Sequence, residues 1–292
     1  MTAGWQDDDR VVEVLDEAGV LWVAVASRRG PHVTPAVFDV DGRRLWFVTP
    51  RRSVKARAID RHRRVGALAT FGDRAVMMSG RARIVDPLTA RVSSLGRLLD
   101  LPLAAAGYLG RNHRHATGTV RDHKAPTLAL SRVAVSIDVT RLALLEGEAV
   151  LSAWGRWDDQ DLLLQGPVPD GGPPDLGPVP ARIRTLLLDA APVVVGWQSF
   201  SGPLAVPARW RAGRGVAETS AQALVLAGAG TAGSACLTAE RSRHRLKHKE
   251  GILLRGAART RRHGGVAEVA ITPERVTWWV GEETRTFRPG VP

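Results

Sequence analysis

Cysteine is almost absent from this sequence: Cys236 is the only one in 292 residues, so no internal disulfide can form and thiolate-rich metal sites are excluded. Lysine is scarce too, with four residues against 37 arginines. No stretch approaches the roughly 18–20 uninterrupted apolar residues of a membrane helix. Residues 1–10 carry three aspartates where a signal peptide would carry cations and then an apolar run, so a cytoplasmic location without a membrane partner is expected. There is no Gly-x-Ser-x-Gly, phosphate-loop or dinucleotide fingerprint where a strand and helix would support one. The histidines of Asn112-His113-Arg114-His115 and His123 have no carboxylate or thiolate at ligand spacing, so no metal site is expected.

What remains is an ordinary globular composition, 44% hydrophobic and 24% charged, on a chain long enough for two domains. The net charge of +12 invites a polyanionic partner. Its arginines are scattered rather than gathered in one stripe, so a nucleic-acid interface is not the expected function.

Asp8 to Ala18 places Val11, Val12, Val14, Leu15 and Ala18 at helical spacing behind an aspartate cap. Strands are then predicted at 20–26, 33–40 and 45–49, with a helical turn over 53–60 and strands at 65–70 and 75–85, an antiparallel meander. Residues 87–124 read as a helical insertion before a strand at 128–145. The Pro- and Gly-rich stretch 166–180 cannot hold a ladder of backbone donors and reads as a linker between a first domain, 1–165, and a second, 181–292.

The two segments resemble each other. Gly30-Pro31-x-x-x-Pro35-Ala36-x-Phe38 recurs as Gly202-Pro203-x-x-x-Pro207-Ala208-x-Trp210. Residues 74–83 recur at 250–259, and Val135-Ser136-Ile137 recurs as Val269-Ala270-Ile271. An internal repeat of this length is the signature of a duplicated unit.

The Gly-Pro-x-x-x-Pro turn, the element Thr49-Pro-Arg-Arg-Ser53-Val-Lys55-Ala-Arg57 and the strand ending Gly80-Arg-Ala carry a resemblance to a known family. Residues 10–148, and more weakly 190–287, resemble the pyridoxamine 5'-phosphate oxidase-like flavin-binding split β-barrels. The resemblance implies a mainly β (α+β) fold of two tandem split β-barrels with short helices. Because such barrels pair as homodimers around the flavin, it also implies a monomeric, intramolecular pseudo-dimer or, alternatively, a domain-exchanged homodimer in which the first halves pair with each other. The implied activity is hydride transfer between a flavin and a small molecule. FMN is the first choice of cofactor, the deazaflavin coenzyme second and haem third.

In that family the Thr-x-x-x-Ser-x-Lys element grips the flavin phosphate, which points to Thr49, Ser53 and Lys55, with Arg57 beside them. Two hydroxyls, an ammonium and the N–H groups of a helix start are also what a phosphate dianion requires chemically. Backbone groups around Val33, Thr34 and Pro35 are implied to face the ring, with His32 nearby. The Arg and Gln that true oxidases hold against the flavin align with Val33 and Ala75, so pyridoxamine phosphate oxidation itself is not expected. In the second half the matching turn, 219–222, has no cation, and one site is expected, gripped by the first half and walled by the second. Trp210 and the basic-loop residues Lys247 and Lys249 are the candidate walls. No catalytic acid or base is assigned.

Overall fold

The computed structural model describes residues 4–85, 131–157, 161–166, 172–243, 248–281 and 283–290. The expected insertion, its histidines and Lys247 lie outside them.

The first unit opens with α1 (Asp9–Glu17), capped by the Asp8 carboxylate, which accepts the Arg10 N–H at 3.0 Å. It then runs through β1 (Leu21–Ser27), β2 (Gly30–Ala36), β3 (Phe38–Asp41), β4 (Arg44–Pro50), α2 (Val54–Arg61), β5 (Arg64–Phe71), β6 (Arg74–Val85), β7 (Arg132–Glu146) and β8 (Ala149–Trp154). Its antiparallel sheet has the order β2-β1-β5-β6-β7-β4-β3, with β8 on β7. Two expectations are corrected here. The strand expected over 33–40 breaks at Val37, and the chain is not a simple meander, because β4 crosses to pair with β7. Pro31 and Pro35 supply no N–H, so no strand can ladder along the outer side of β2. The sheet is left split there.

The second unit contains α3 (Ala181–Arg184), β9 (Pro192–Ser199), β10 (Gly202–Arg211), β11 (Val216–Ser220), α4 (Ala221–Leu226), β12 (Ala232–Arg243), β13 (His248–His263), β14 (Val266–Val280) and β15 (Glu283–Phe287). Its order is β11-β10-β9-β12-β13-β14-β15, and β11 also pairs with β14. The fold is therefore mainly β, two tandem split barrels with short helices.

The repeat extends to the register of individual pairs. Leu21 opposite Ala36 recurs as Val193 opposite Ala208, and Ala24 opposite Gly66 recurs as Gly196 opposite Cys236. Even the irregularities coincide: the bulge at Ser79/Gly80 facing Arg141 recurs at Arg255/Gly256 facing Arg275.

The two sheets pack as quasi-equivalent partners, β2 on β9 and β12, β10 on β1 and β5. Val33 sits against Gly196 and Cys236, while Gly66 sits under the backbone of Pro203 and Leu204. One apolar cluster fills the first barrel with Leu21, Val23, Phe47, Ile59 and Met78. A second joins the interior of the other barrel to the seam through Ala24, Val33, Leu68 and Met77. The packing creates two related seams, and the candidate site lies at one of them.

Candidate functional site

β4 ends at Pro50, whose carbonyl accepts the Ser53 N–H at 2.9 Å, turning the chain into α2. Ser53 caps that helix, its Oγ accepting the Ala56 N–H at 3.0 Å and lying 3.0 Å from Thr49 Oγ1. Thr49 is buried and holds the cap in place. Ser53→Ala should therefore lower stability by about 1 kcal/mol, measured by chemical denaturation. An unchanged midpoint would show that the turn is held by other contacts.

Lys55 shares the inner face of α2 with Ala58 and Ile59, three and four residues on, so the helix carries its ammonium into the split of the barrel. There Lys55 Nζ donates to the Pro35 carbonyl at 2.9 Å and lies 5.8 Å from the centre of the Phe47 ring. The outer side of β2 is sealed by the second unit. Thr238 Oγ1 donates to the Val33 carbonyl at 2.8 Å, and the Val33 N–H faces the Cys236 sulfur. Burial pushes the Cys236 thiol up to about 11, so it stays protonated.

Burial, and next the ammonium of Lys249 from the opposite unit, bring Lys55 down from 10.5 to about 7; Glu240 opposes the shift. His32 lies at the same seam, where Arg255 Nη2 stands 2.7 Å from its Nδ1. Burial, then Arg255, then Lys55 push the His32 imidazole down to about 3, so it is neutral and accepts from Arg255. The Nε of Arg255 is buried without a hydrogen-bond partner among the described residues. A cluster of His32, Lys55, Glu240, Lys249 and Arg255 thus spans both units.

The remaining sequence candidates are placed as follows. Val33 is fully buried in the apolar seam, Pro35 is buried with its carbonyl toward Lys55, and Thr34 is half-buried on the His32 side of β2. Arg57 and Arg52 are exposed on the outer face of the turn and helix. Trp210 is only 2% exposed, packed in the second barrel, which gives it to core packing. Ala75 is buried at the seam as well.

The related seam is chemically quiet. Thr219 Oγ1 donates at 2.6 Å to the carbonyl of Pro207, the counterpart of Pro35, so a hydroxyl does there what the ammonium does here. Ser220 caps α4, and Gln222 stands where Lys55 stands, its Oε1 accepting the Val150 N–H at 3.3 Å. Leu204 replaces His32 and is buried. Sequence reasoning did not single out Glu240, Arg255 or Arg275. The repeat itself held the signal, because it sets Arg255 against Ser79.

Residues 7–98 match the family model described as Pyridoxamine 5'-phosphate oxidase. Similar solved structures include an FMN-binding protein related to pyridoxamine 5'-phosphate oxidase from Nostoc punctiforme PCC 73102, at 18% identity over 50% of this chain and 85% of that one, TM-score 0.37. A conserved hypothetical protein from Mycobacterium tuberculosis is 23% identical over 48% of this chain and 84% of its own, TM-score 0.36. An F420 reductase is 20% identical over 45% and 94%, TM-score 0.32. Each covers about half of this chain. A search of curated protein sequences gives no match. The resemblance read from the sequence thus has a family-model match over residues 7–98, within the first unit.

Proposed function

We propose that the protein is a flavin-dependent oxidoreductase that holds FMN, or a deazaflavin in its place, at the seam carrying Lys55. The observation that supports this reading is the net positive charge there: buried Lys55 feels Lys249 from the opposite unit, and Glu240 opposes the two ammonium groups only in part. A buried ammonium persists where something anionic completes it. A phosphate monoester fits the donors present. Lys55 has donor capacity beyond its bond to Pro35, and it sits in the first turn of α2, two residues after the cap Ser53.

When bound, the flavin supplies the hydride chemistry, and the protein supplies orientation and electrostatics. Thr49 and Ser53 set the turn, Lys55 and Lys249 neutralise the anion from opposite units, and the sealed edge of β2 excludes water. His32, neutral and fixed by Arg255, offers a polar group beside this corner without adding charge.

Protein purified without added cofactor should carry, or on titration bind, one flavin per chain. An absorbance near ~450 nm identifies FMN, and one near ~420 nm the deazaflavin. Two equivalents per chain would contradict a single competent seam, and failure to bind either cofactor would overturn the reading. The alternative is a non-catalytic flavin carrier, favoured by the burial of Val33 and Ala75 where oxidases place polar groups against the ring. Binding without reduction by any nicotinamide donor would select it.

A further inference from the structure

We infer that Arg29, Arg255, Arg275 and Arg288 form a second anion site at this seam, built for a small, multiply charged oxyanion such as an oligophosphate or polycarboxylate. The site stands on its own residues and does not depend on the flavin reading.

The arginines are aligned by sheet register. Arg255 on β13 lies directly opposite Arg275 on β14. Val276 pairs with Phe287, so the residue after β15, Arg288, comes beside Arg275 in the same row. Arg29 reaches in from the β1–β2 turn of the first unit, where Gly30 packs on Ser234 and on the Arg255 side chain. Like charges placed directly across a sheet repel. The repulsion is expressed in the groups themselves. Arg255 is held below its ordinary value first by burial, then by Arg275 and Arg29, although Cys236 opposes this; Arg275 is lowered first by burial and then by Arg29 and Arg288. Among the described residues none of the four forms an ion pair with a carboxylate. Arg255 in addition keeps a buried, unpartnered Nε.

The related seam is an internal control. Its counterparts of Arg29, Arg255 and Arg275 are Ser201, Ser79 and Arg141. There Arg141 Nη2 donates to Ser201 Oγ at 2.8 Å, and its guanidinium lies 4.7 Å from the Trp157 ring centre. One arginine with two serines is satisfied by the protein itself. On the same scaffold, two serines exchanged for arginines, with Arg288 added, leave a charge that no ion pair balances among the described residues. Planar guanidinium forks match carboxylate and phosphate oxygens two at a time. Arg29 and Arg288 are exposed while Arg255 is partly buried, so an anion would enter from solvent and end at Arg255.

The test uses full-length protein free of cofactor, with tripolyphosphate as the probe and sodium chloride of equal ionic strength as the control. Thermal unfolding of the wild type should rise saturably with tripolyphosphate beyond the salt control. Arg275→Gln should begin at a higher Tm, being relieved of repulsion, and bind tripolyphosphate at least tenfold more weakly. Arg29→Gln, an exposed position, should show the same loss of binding, and Lys55→Met should keep the response. The proposal is overturned if the wild type shows nothing beyond salt, or if both arginine variants respond like wild type. It is also overturned if Lys55→Met alone abolishes the response, which would move the anion to the Lys55 corner and leave the flavin reading intact. A charge-matched preference for duplex DNA over tripolyphosphate would replace the small anion with a macromolecule.

Discussion

Gly66→Val should lower the unfolding free energy by about 3 kcal/mol, the upper part of the range for overpacking a tight contact. A Cβ at Gly66 would lie 2.5 Å from the Pro203 carbonyl oxygen and 2.7 Å from the Leu204 Cα. Both are backbone atoms on β10, which is paired with β9 along most of its length and cannot yield by a rotamer change. Relief requires the two sheets to separate, which uncovers the apolar seam around Ala24, Val33, Leu68 and Leu204. The loss should therefore come with a weaker response to flavin, because the site draws on both units. Gly19→Ala is the control: nothing lies within 4 Å of its added Cβ, and its effect should stay below about 0.5 kcal/mol. Equal midpoints for Gly66→Val and wild type in urea would show that the units are not joined through this contact.

Much of this architecture was legible because duplication writes the same turn chemistry twice. Gly-Pro-x-x-x-Pro marks β2 and β10 in both halves, and β-branched runs between turn residues mark the hairpins. The break at Val37 was not legible, since 33–40 reads as one strand-forming run and only the distant partner of β4, strand β7, shows that the chain must change edges there. Lys55 was found from its motif, and the motif says nothing of its bond to Pro35 or of Lys249 and Glu240 opposite. The bond to Pro35 runs from helix to strand within the first unit, and Lys249 and Glu240 come from the other unit across the packing interface, neither of which periodicity can report. The arginine row failed for a related reason. In a sequence with 37 arginines, Arg255, Arg275 and Arg288 look scattered, and only cross-strand register aligns them.

Lys55→Met should separate stability from binding, with opposite signs on the two. In the folded protein Lys55 titrates near 7, against 10.5 for an ordinary lysine. Between those values the unfolded chain holds a proton that the folded chain has released, so wild-type stability must rise with pH across this window; below pH 7 the burial cost is fully present. That cost is on the order of 5 kcal/mol. Methionine removes it but leaves the Pro35 carbonyl without its donor, a loss of about 1–3 kcal/mol. At pH 6 the variant should therefore be more stable than wild type by about 3 kcal/mol, and above pH 10 less stable, so the two curves cross. Binding moves the other way. Without the ammonium, FMN affinity should fall at least ~100-fold at pH 7, the scale of removing one partner from a buried charge pair. In the wild type, an anion at this corner draws Lys55 back to its charged form. Binding above pH 7 therefore takes up a proton, and affinity weakens as pH climbs toward 10. Urea denaturation and FMN titration at pH 6, 8 and 10 test all of this together. Parallel stability curves would place Lys55 in water, whereas crossing curves with unchanged FMN affinity would keep its burial and take the phosphate away from it.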